Sequence, residues 1–387
     1  MGRTSPDLSY PSPAAVCTQR AQRRPLILAG VFPIFVTVLL SATDGKPAAI
    51  DLFSGAGGLT LGLKQAGFDV IGAIEIDSLC AETYKLNHPG VAVWEKDIQT
   101  VPVSAVKRRL GLRVGELGLL AGCPPCQGFS SIRTLNGGRA VRDGSRNLVL
   151  EFVRFVEGLK PKAVMLENVP GLGGDRRMRK VLVRLSQLGY TCRWRVLNAA
   201  DYAVPQRRKR LILLGSLAGA VPFARPAVTR RSVREVICGL PRPGTSGDEL
   251  HDLPENRSQR VLRLIRRVQC DGGGRRALGL RYQLECHRTT NGFRDVYGRM
   301  AWDDVAPTIT GGCINPSKGR FLHPSQNRAI TLREAALLQT FPKSYFFSLE
   351  RGKYAAAAMI GNALPPEFIR RHAKEVLRHL QQHTADD

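Results

Sequence analysis

Cys126 is the side chain of this sequence best placed to form a covalent bond. It sits in Gly122-Cys123-Pro124-Pro125-Cys126-Gln127-Gly128-Phe129-Ser130, directly after a short apolar run. Two prolines stiffen that backbone and the glycines let a ligand come close. A cysteine so held can act as a nucleophile. The polar, glycine-rich stretch that follows, Ser131 to Asn147, is long enough to serve as a lid. The spacing of Cys123 and Cys126 also suits a redox pair. Two prolines inside the pair and the lack of a thioredoxin-like surround argue against it. Glu167-Asn168-Val169-Pro170 ends a second apolar run. A glutamate beside a cysteine nucleophile suggests general acid work on a ring nitrogen, worth roughly 10²–10⁴-fold; a solvated strand-end glutamate is the plainer alternative. Gln206-Arg207-Arg208-Lys209-Arg210 puts Gln206, Arg208 and Arg210 on one face of an extended segment. Arginine can grip a base oxygen or a phosphate with a fixed fork, although taken alone this is only a basic turn.

The elements that must position these residues follow a regular rhythm. Ala48 to Phe53 is a short apolar strand, followed by a turn, Ser54-Gly55-Ala56-Gly57-Gly58, and a helix from Leu59 to Ala66. Further strands are expected at Val70–Ile76, Val91–Trp94, Leu117–Ala121, Ala163–Leu166, Thr191–Leu197 and Leu211–Leu214, with a helix over Phe152–Leu159. Strands alternating with helices predict an α/β fold, a Rossmann-like mixed sheet of seven strands, mostly parallel and covered on both faces. In such sheets ligands bind at the carboxyl ends of the strands, where the glycine-rich turn, Cys126 and Glu167 all fall. Glu75 ends the second strand, where a carboxylate can bind ribose hydroxyls, and Asp97 follows the third. The glycines break the strict GxGxxG order at Thr60, which favours S-adenosylmethionine over a dinucleotide.

Composition sets the wider frame. Lys and Arg exceed Asp and Glu by 57 to 32, a formal charge of +25. That excess suits a polyanionic partner, because neutralised phosphates release counterions. Nine cysteines at irregular intervals are no disulfide framework and point to a reducing compartment. No second CxxC or histidine cluster accompanies the Cys123–Cys126 pair, so no metal site is expected. Arg20, Arg23 and Arg24 precede an apolar run from Pro25 to Leu40, the layout of a secretory signal. The run is short for a membrane span, which needs about 20 residues. Residues 1–46 are therefore read as a disordered leader or a mis-assigned start, ahead of a cytoplasmic protein with no membrane association. A catalytic domain is expected over 47–220 and an irregular second domain over 221–325. The C-terminal return to the first domain covers 326–387, with helices at Leu332–Gln339 and Pro366–Leu380. Between Arg225 and Arg299 the sequence has 16 Arg, no Lys and 8 acidic residues, with one clear amphipathic helix at Arg257–Val268.

Taken together the motifs resemble those of the DNA cytosine-5 methyltransferase family, in its bacterial restriction–modification form. Asp51-Leu52-Phe53-Ser54-Gly55-Ala56-Gly57-Gly58, Pro124-Pro125-Cys126-Gln127, Glu167-Asn168-Val169 and Gln206-x-Arg208-x-Arg210 occur in the family's order. Arg328-x-x-Thr331-x-Arg333-Glu334, Gln339-x-Phe341-Pro342 and Gly361-Asn362-Ala363-x-Pro365-Pro366 match its closing motifs. The resemblance implies that Cys126 attacks carbon 6 of a flipped cytosine and that Glu167 contacts ring nitrogen 3 and the exocyclic amine. Arg208 and Arg210 would hold the base oxygen and the catalytic loop. S-adenosylmethionine would be bound by Phe53, Ser54, Gly55, Gly57, Gly58, Glu75, Ile76, Asp97 and Asn362. Many relatives carry an aromatic where Ile76 stands, so here only apolar contact with adenine is expected. No metal is required. The resemblance implies a monomer acting on double-stranded DNA, with a separate cognate restriction endonuclease as the further partner. The 221–325 region would read base edges while its arginines contact phosphates. Two rivals are a tRNA cytosine-5 methyltransferase on the same fold and a non-catalytic DNA-binding paralogue. The first lacks its closest marks in the variable region; the second has no reason to keep Cys126, Glu167, Arg208 and the glycine-rich turn together.

Overall fold

A computed structural model describes residues 45–125, 148–283 and 294–384. Cys126, the expected lid after it and nearly all of the leader lie outside the described residues.

Seven strands form one sheet in the order β3-β2-β1-β4-β5-β7-β6. They are β1 (Ala48–Leu52), β2 (Asp69–Glu75), β3 (Ala92–Glu95), β4 (Leu119–Gly122), β5 (Ala163–Asn168), β6 (Thr191–Asn198) and β7 (Lys209–Ser216). The first five pair in parallel, whereas β7 runs antiparallel to both of its neighbours. The sheet is thus the mixed, mostly parallel, Rossmann-like one expected. Its central strands are apolar runs because both faces are covered: every residue of β4 and β5 is buried. Successive side chains of β1 divide between two cores. Ile50 and Leu52 join Phe152, Phe155 and Leu166 on one face, while Ala49 joins Leu63, Phe368 and Ile369 on the other. The edge strand β6 is largely exposed.

Observed strands fall within a few residues of the expected ones. Helices that the sequence pattern did not single out are α2 (Ser78–Asn87), α3 (Val103–Leu110) and those at Arg176–Gln187 and Gly352–Asn362. Arg176–Gln187 looks like a basic run, yet Met178, Val181 and Leu185 share the stripe that it buries. The C-terminal helix Pro366–Thr384 lies against α1 (Gly58–Ala66) so closely that a Cβ on Gly62 would meet Pro366 O at 2.6 Å.

The 221–325 region is irregular, with short helices at Arg234–Ile237 and Glu249–Asp252 and a longer one at Gln259–Arg267. It shares a core with the C-terminal return: Val233, Ile237, Met300 and Phe321 cluster with Leu332, Ala335 and Phe341. One of its arginines is built into the fold. Arg299 is fully buried and donates to the carbonyls of Val268, Ile265, His323 and Gln326 and to Asn327 Oδ1. Among the described residues no helix is long and apolar enough to cross a membrane.

Candidate functional site

The glycine-rich turn joins β1 to α1 through left-handed backbone at Phe53 (φ 61°), Gly55 (φ 54°) and Gly57 (φ 92°). Ser54 N–H donates to Ile74 O, and Gly57 N–H closes the turn on Ser54 O. Glu75, at the end of β2, braces it: Oε2 accepts from Gly55 N–H at 2.7 Å and Oε1 from Asp77 N–H at 2.8 Å. The three glycines have different reasons to be there. A Cβ on Gly57 would lie 2.5 Å from His88 Nε2 and 2.6 Å from the Tyr345 hydroxyl, and one on Gly58 would lie 2.5 Å from Leu364 O. At Gly55 a Cβ would meet open space. Gly57 and Gly58 therefore answer to protein packing, and Gly55 faces the side a ligand can approach.

Behind the turn lies a buried polar cluster. The Tyr345 hydroxyl donates to Ala56 O at 2.6 Å, so its oxygen accepts from His88 Nε2–H at 3.0 Å. The same His88 nitrogen is 3.2 Å from Gly57 O. Burial pushes the His88 pKa down to about 4, so the ring is neutral at pH 7 and carries its proton on Nε2. Thr60 donates to Asp51 Oδ2 at 2.7 Å and accepts from the Tyr84 hydroxyl at 2.8 Å. Asp51 Oδ1 and Ser54 Oγ are buried and have no partner among the described residues. Burial raises the Asp51 carboxyl to about 7, against the Thr60 bond and helped by the Glu75 charge.

The sequence-predicted cofactor residues Phe53, Ser54, Gly55, Gly57, Gly58 and Glu75 gather around this turn. Ile76 follows directly and is 65% exposed. Asp97 caps the turn Ile98–Thr100 after β3, accepting from Gln99 N–H. Asn362 is exposed at the end of the helix Gly352–Asn362, where a Cβ on the preceding Gly361 would strike the backbone of Thr310.

β4 alone separates β1 from β5, so the carboxyl ends of these two strands lie about 10 Å apart. Glu167 and Asn168 are buried there. Asn168 donates to Pro124 O at 3.0 Å and accepts from Val169 N–H, which fixes the Pro-Pro segment on its strand. Cys123 continues the β4 ladder by donating its N–H to Leu52 O. Its Sγ lies 2.6 Å from Glu167 Oε2. Cys123 packs half-buried against the core beside β1, and it also touches the glutamate. On the other side Arg210 Nε stands 2.8 Å from Glu167 Oε1. That contact is an ion pair whose N–H does not point along it, so Oε1 has no hydrogen-bond donor among the described residues.

The three side chains of the Gln206–Arg210 segment have separate tasks. Gln206 accepts from Ile309 N–H and donates to Gln339. Arg208 is buried and donates to Ile309 O at 2.8 Å and Gly361 O at 3.1 Å, and its buried Nε has no hydrogen-bond partner among the described residues. Arg210 alone reaches Glu167. The closing motif is a helix start: Thr331 and Glu334 form a reciprocal cap, and Arg328 clamps the Glu334 carboxylate. His88, Tyr345, Thr60 and the Cys123 contact were not found from the sequence. Their partners lie far along the chain, and no local pattern announces them.

The chain compares closely with known proteins. The description C-5 cytosine-specific DNA methylase matches residues 48–378. The Type II methylase M.HgiDII of Herpetosiphon aurantiacus is 37% identical over 349 residues, covering 86% of this chain and 96% of that protein. The Type II methyltransferase M.XorII of Xanthomonas oryzae pv. oryzae is 33% identical, covering 87% and 86%. Among solved structures, a protein described as an E. coli prophage DNA modification methyltransferase aligns with a TM-score of 0.66 at 23% identity, over 87% of this chain and all of that one; it shares the fold. With 48–378 matched and the glycine-rich turn and Glu167 on one sheet edge, the chain belongs to the C-5 cytosine-specific DNA methylase family and is a DNA cytosine-5 methyltransferase.

Proposed function

We propose that the enzyme methylates carbon 5 of a cytosine flipped out of duplex DNA, through a transient bond to Cys126, and that it is the modification partner of a restriction endonuclease. The observation that carries this reading is Glu167 Oε1: buried, 2.8 Å from the Arg210 guanidinium and without a hydrogen-bond donor of its own among the described residues. A carboxyl so placed suits one flat, polar guest, and a cytosine offers N3 and its exocyclic amine to it. A base inside the stack cannot reach such a site, so the cytosine must swing out.

In this reading the Cys126 thiolate adds to carbon 6, and the ring electrons move towards carbon 5. Glu167 carries the proton at N3 that lets the ring accept them. Arg210 holds Glu167 in place, and Arg208 ties the strand beneath it to the segments at Ile309 and Gly361. After methylation the carbon 5 proton leaves and the bond to Cys126 breaks. S-adenosylmethionine supplies the electrophilic methyl when bound. The residues present fit it. Asp51 Oδ1 and Ser54 Oγ are buried acceptors without hydrogen-bond partners among the described residues, suited to a cationic, amine-bearing ligand. Gly55 leaves room for close approach, Glu75 keeps spare lone pairs for ribose, and Ile76 offers an apolar face. Phe53, Asp97 and Asn362 complete the proposed pocket.

A 5-fluorocytosine duplex with S-adenosylmethionine tests the reading, because fluorine cannot leave carbon 5 as a proton does. Wild type and Cys123→Ser are expected to give a denaturant-resistant protein–DNA complex, and Cys126→Ser none. Trapping that survives Cys126→Ser would remove the nucleophile assigned here. Methyl transfer to tRNA in preference to duplex DNA would overturn the substrate.

A further inference from the structure

Cys123 is a half-buried, nucleophile-type residue that the methylation chemistry does not use, three places before the one it does. Burial pushes its thiol well above the ordinary range, and the Glu167 charge beside it adds to the shift. The group therefore stays protonated, a donor and not a nucleophile. The acceptor in reach is Glu167 Oε2 at 2.6 Å.

We propose that Cys123 is a positioning residue for the methyl-transfer reaction: its thiol holds Glu167 Oε2, so that Oε1 is turned to the base. This rests on the reading of Glu167 given above. The geometry divides the carboxylate in two. Oε2 is taken by the thiol, while Oε1 has the Arg210 charge beside it but no hydrogen bond among the described residues. A carboxylate free to rotate about its last torsion would exchange its oxygens, since that torsion is broad and roughly two-fold. Two different neighbours, a neutral donor and a guanidinium, make the two orientations unequal. The thiol is itself fixed, because Cys123 N–H donates to Leu52 O and Asn168 Nδ2 donates to the carbonyl of the next residue, Pro124. A change on β4 is thus felt at the reacting end of β5.

The test compares Cys123→Ala and Cys123→Ser in the full-length enzyme, on duplex DNA under single-turnover conditions. Alanine removes the donor, and serine replaces it. Cys123→Ala is expected to slow methyl transfer by about tenfold, the scale of one hydrogen bond to a charged group. KM for DNA and cofactor should stay within about twofold. Cys123→Ser should restore the rate. The thiol is proposed to act through Glu167 alone, so Cys123→Ala should cost nothing further in a Glu167→Gln background. An alanine variant that melts earlier but keeps the wild-type rate would show a packing role only and overturn the proposal. Additive losses in the double variant, or failure of serine to rescue, would do the same. Should Glu167→Gln itself prove fully active, the reading of Glu167 fails first, and that outcome is distinct from the others.

Discussion

The two halves of the sheet edge are built on opposite plans. On the proposed cofactor side, between β1 and β2, most polar groups already have protein partners: both Glu75 oxygens accept backbone N–H groups, and Tyr345 and His88 hold the carbonyls of Ala56 and Gly57. On the proposed base side, between β4 and β7, Glu167 Oε1 has the Arg210 charge beside it, and neither it nor the buried Arg208 Nε has a hydrogen-bond partner among the described residues. Buried polar atoms are normally satisfied, so those left over mark where a guest completes the set. A cofactor common to every turnover can be met by a rigid cradle. A base that visits only when it leaves the duplex must find an open donor and an open acceptor waiting.

Removing the base-side group should have the largest effect. Glu167→Gln keeps the shape and the Oε1 acceptor but loses the charge and the exchangeable proton. We expect kcat to fall by roughly 10²–10⁴-fold, with cofactor-product affinity unchanged by calorimetry. Equal losses in kcat and in product affinity would mean that the two halves do not divide the work.

The next test concerns one of the two exceptions on the proposed cofactor side, Ser54 Oγ being the other: Asp51 Oδ1 has no hydrogen-bond partner among the described residues, and its carboxyl is raised from its ordinary 3.8 to about 7. Between these values the folded protein keeps a proton that the unfolded chain has lost. Stability on this account is fully present below about pH 4 and is lost as pH rises towards 7, by on the order of 4 kcal/mol across the window. Asp51→Asn should flatten that slope in cofactor-free protein. Denaturation midpoints at pH 5.5 and 7.5 would show it, and an unchanged slope would reject the assignment.

Much of this architecture was legible in the sequence because its signals are local. Apolar runs such as Ala163–Leu166 announce buried strands, and the Asp51–Gly58 and Glu167–Asn168 segments place their chemistry at strand ends. What stayed hidden is what the fold brings together from afar. Arg208 and Arg210 look alike in sequence, yet one ties backbone carbonyls and the other pairs with Glu167. Arg299 reads as one more phosphate-binding arginine, and the fold spends it on carbonyl groups of the 221–325 region and the segment after it. Gly57 reads as a ligand-facing glycine, though His88 and Tyr345 already occupy the space its side chain would need.

The smallest expected effect tests whether that hidden support matters to binding. Tyr345→Phe removes one hydroxyl and leaves Ala56 O buried without its donor, a loss of about 1–3 kcal/mol. Part of the cost falls on overall stability, since Tyr345 packs on Phe341 and Phe347, but the ring contacts survive the change. The remainder falls on the turn. His88 keeps its bond to Gly57 O, so the turn should loosen at Ala56 without collapsing. We expect KM for the cofactor to rise about fivefold, with kcat at saturating cofactor and KM for DNA both within about twofold of wild type. A purely structural tyrosine would lower the melting temperature and leave all three constants alone. If kcat falls instead while cofactor KM holds, the cradle is not a passive holder, and the contrast between a finished cofactor side and an open base side gives way.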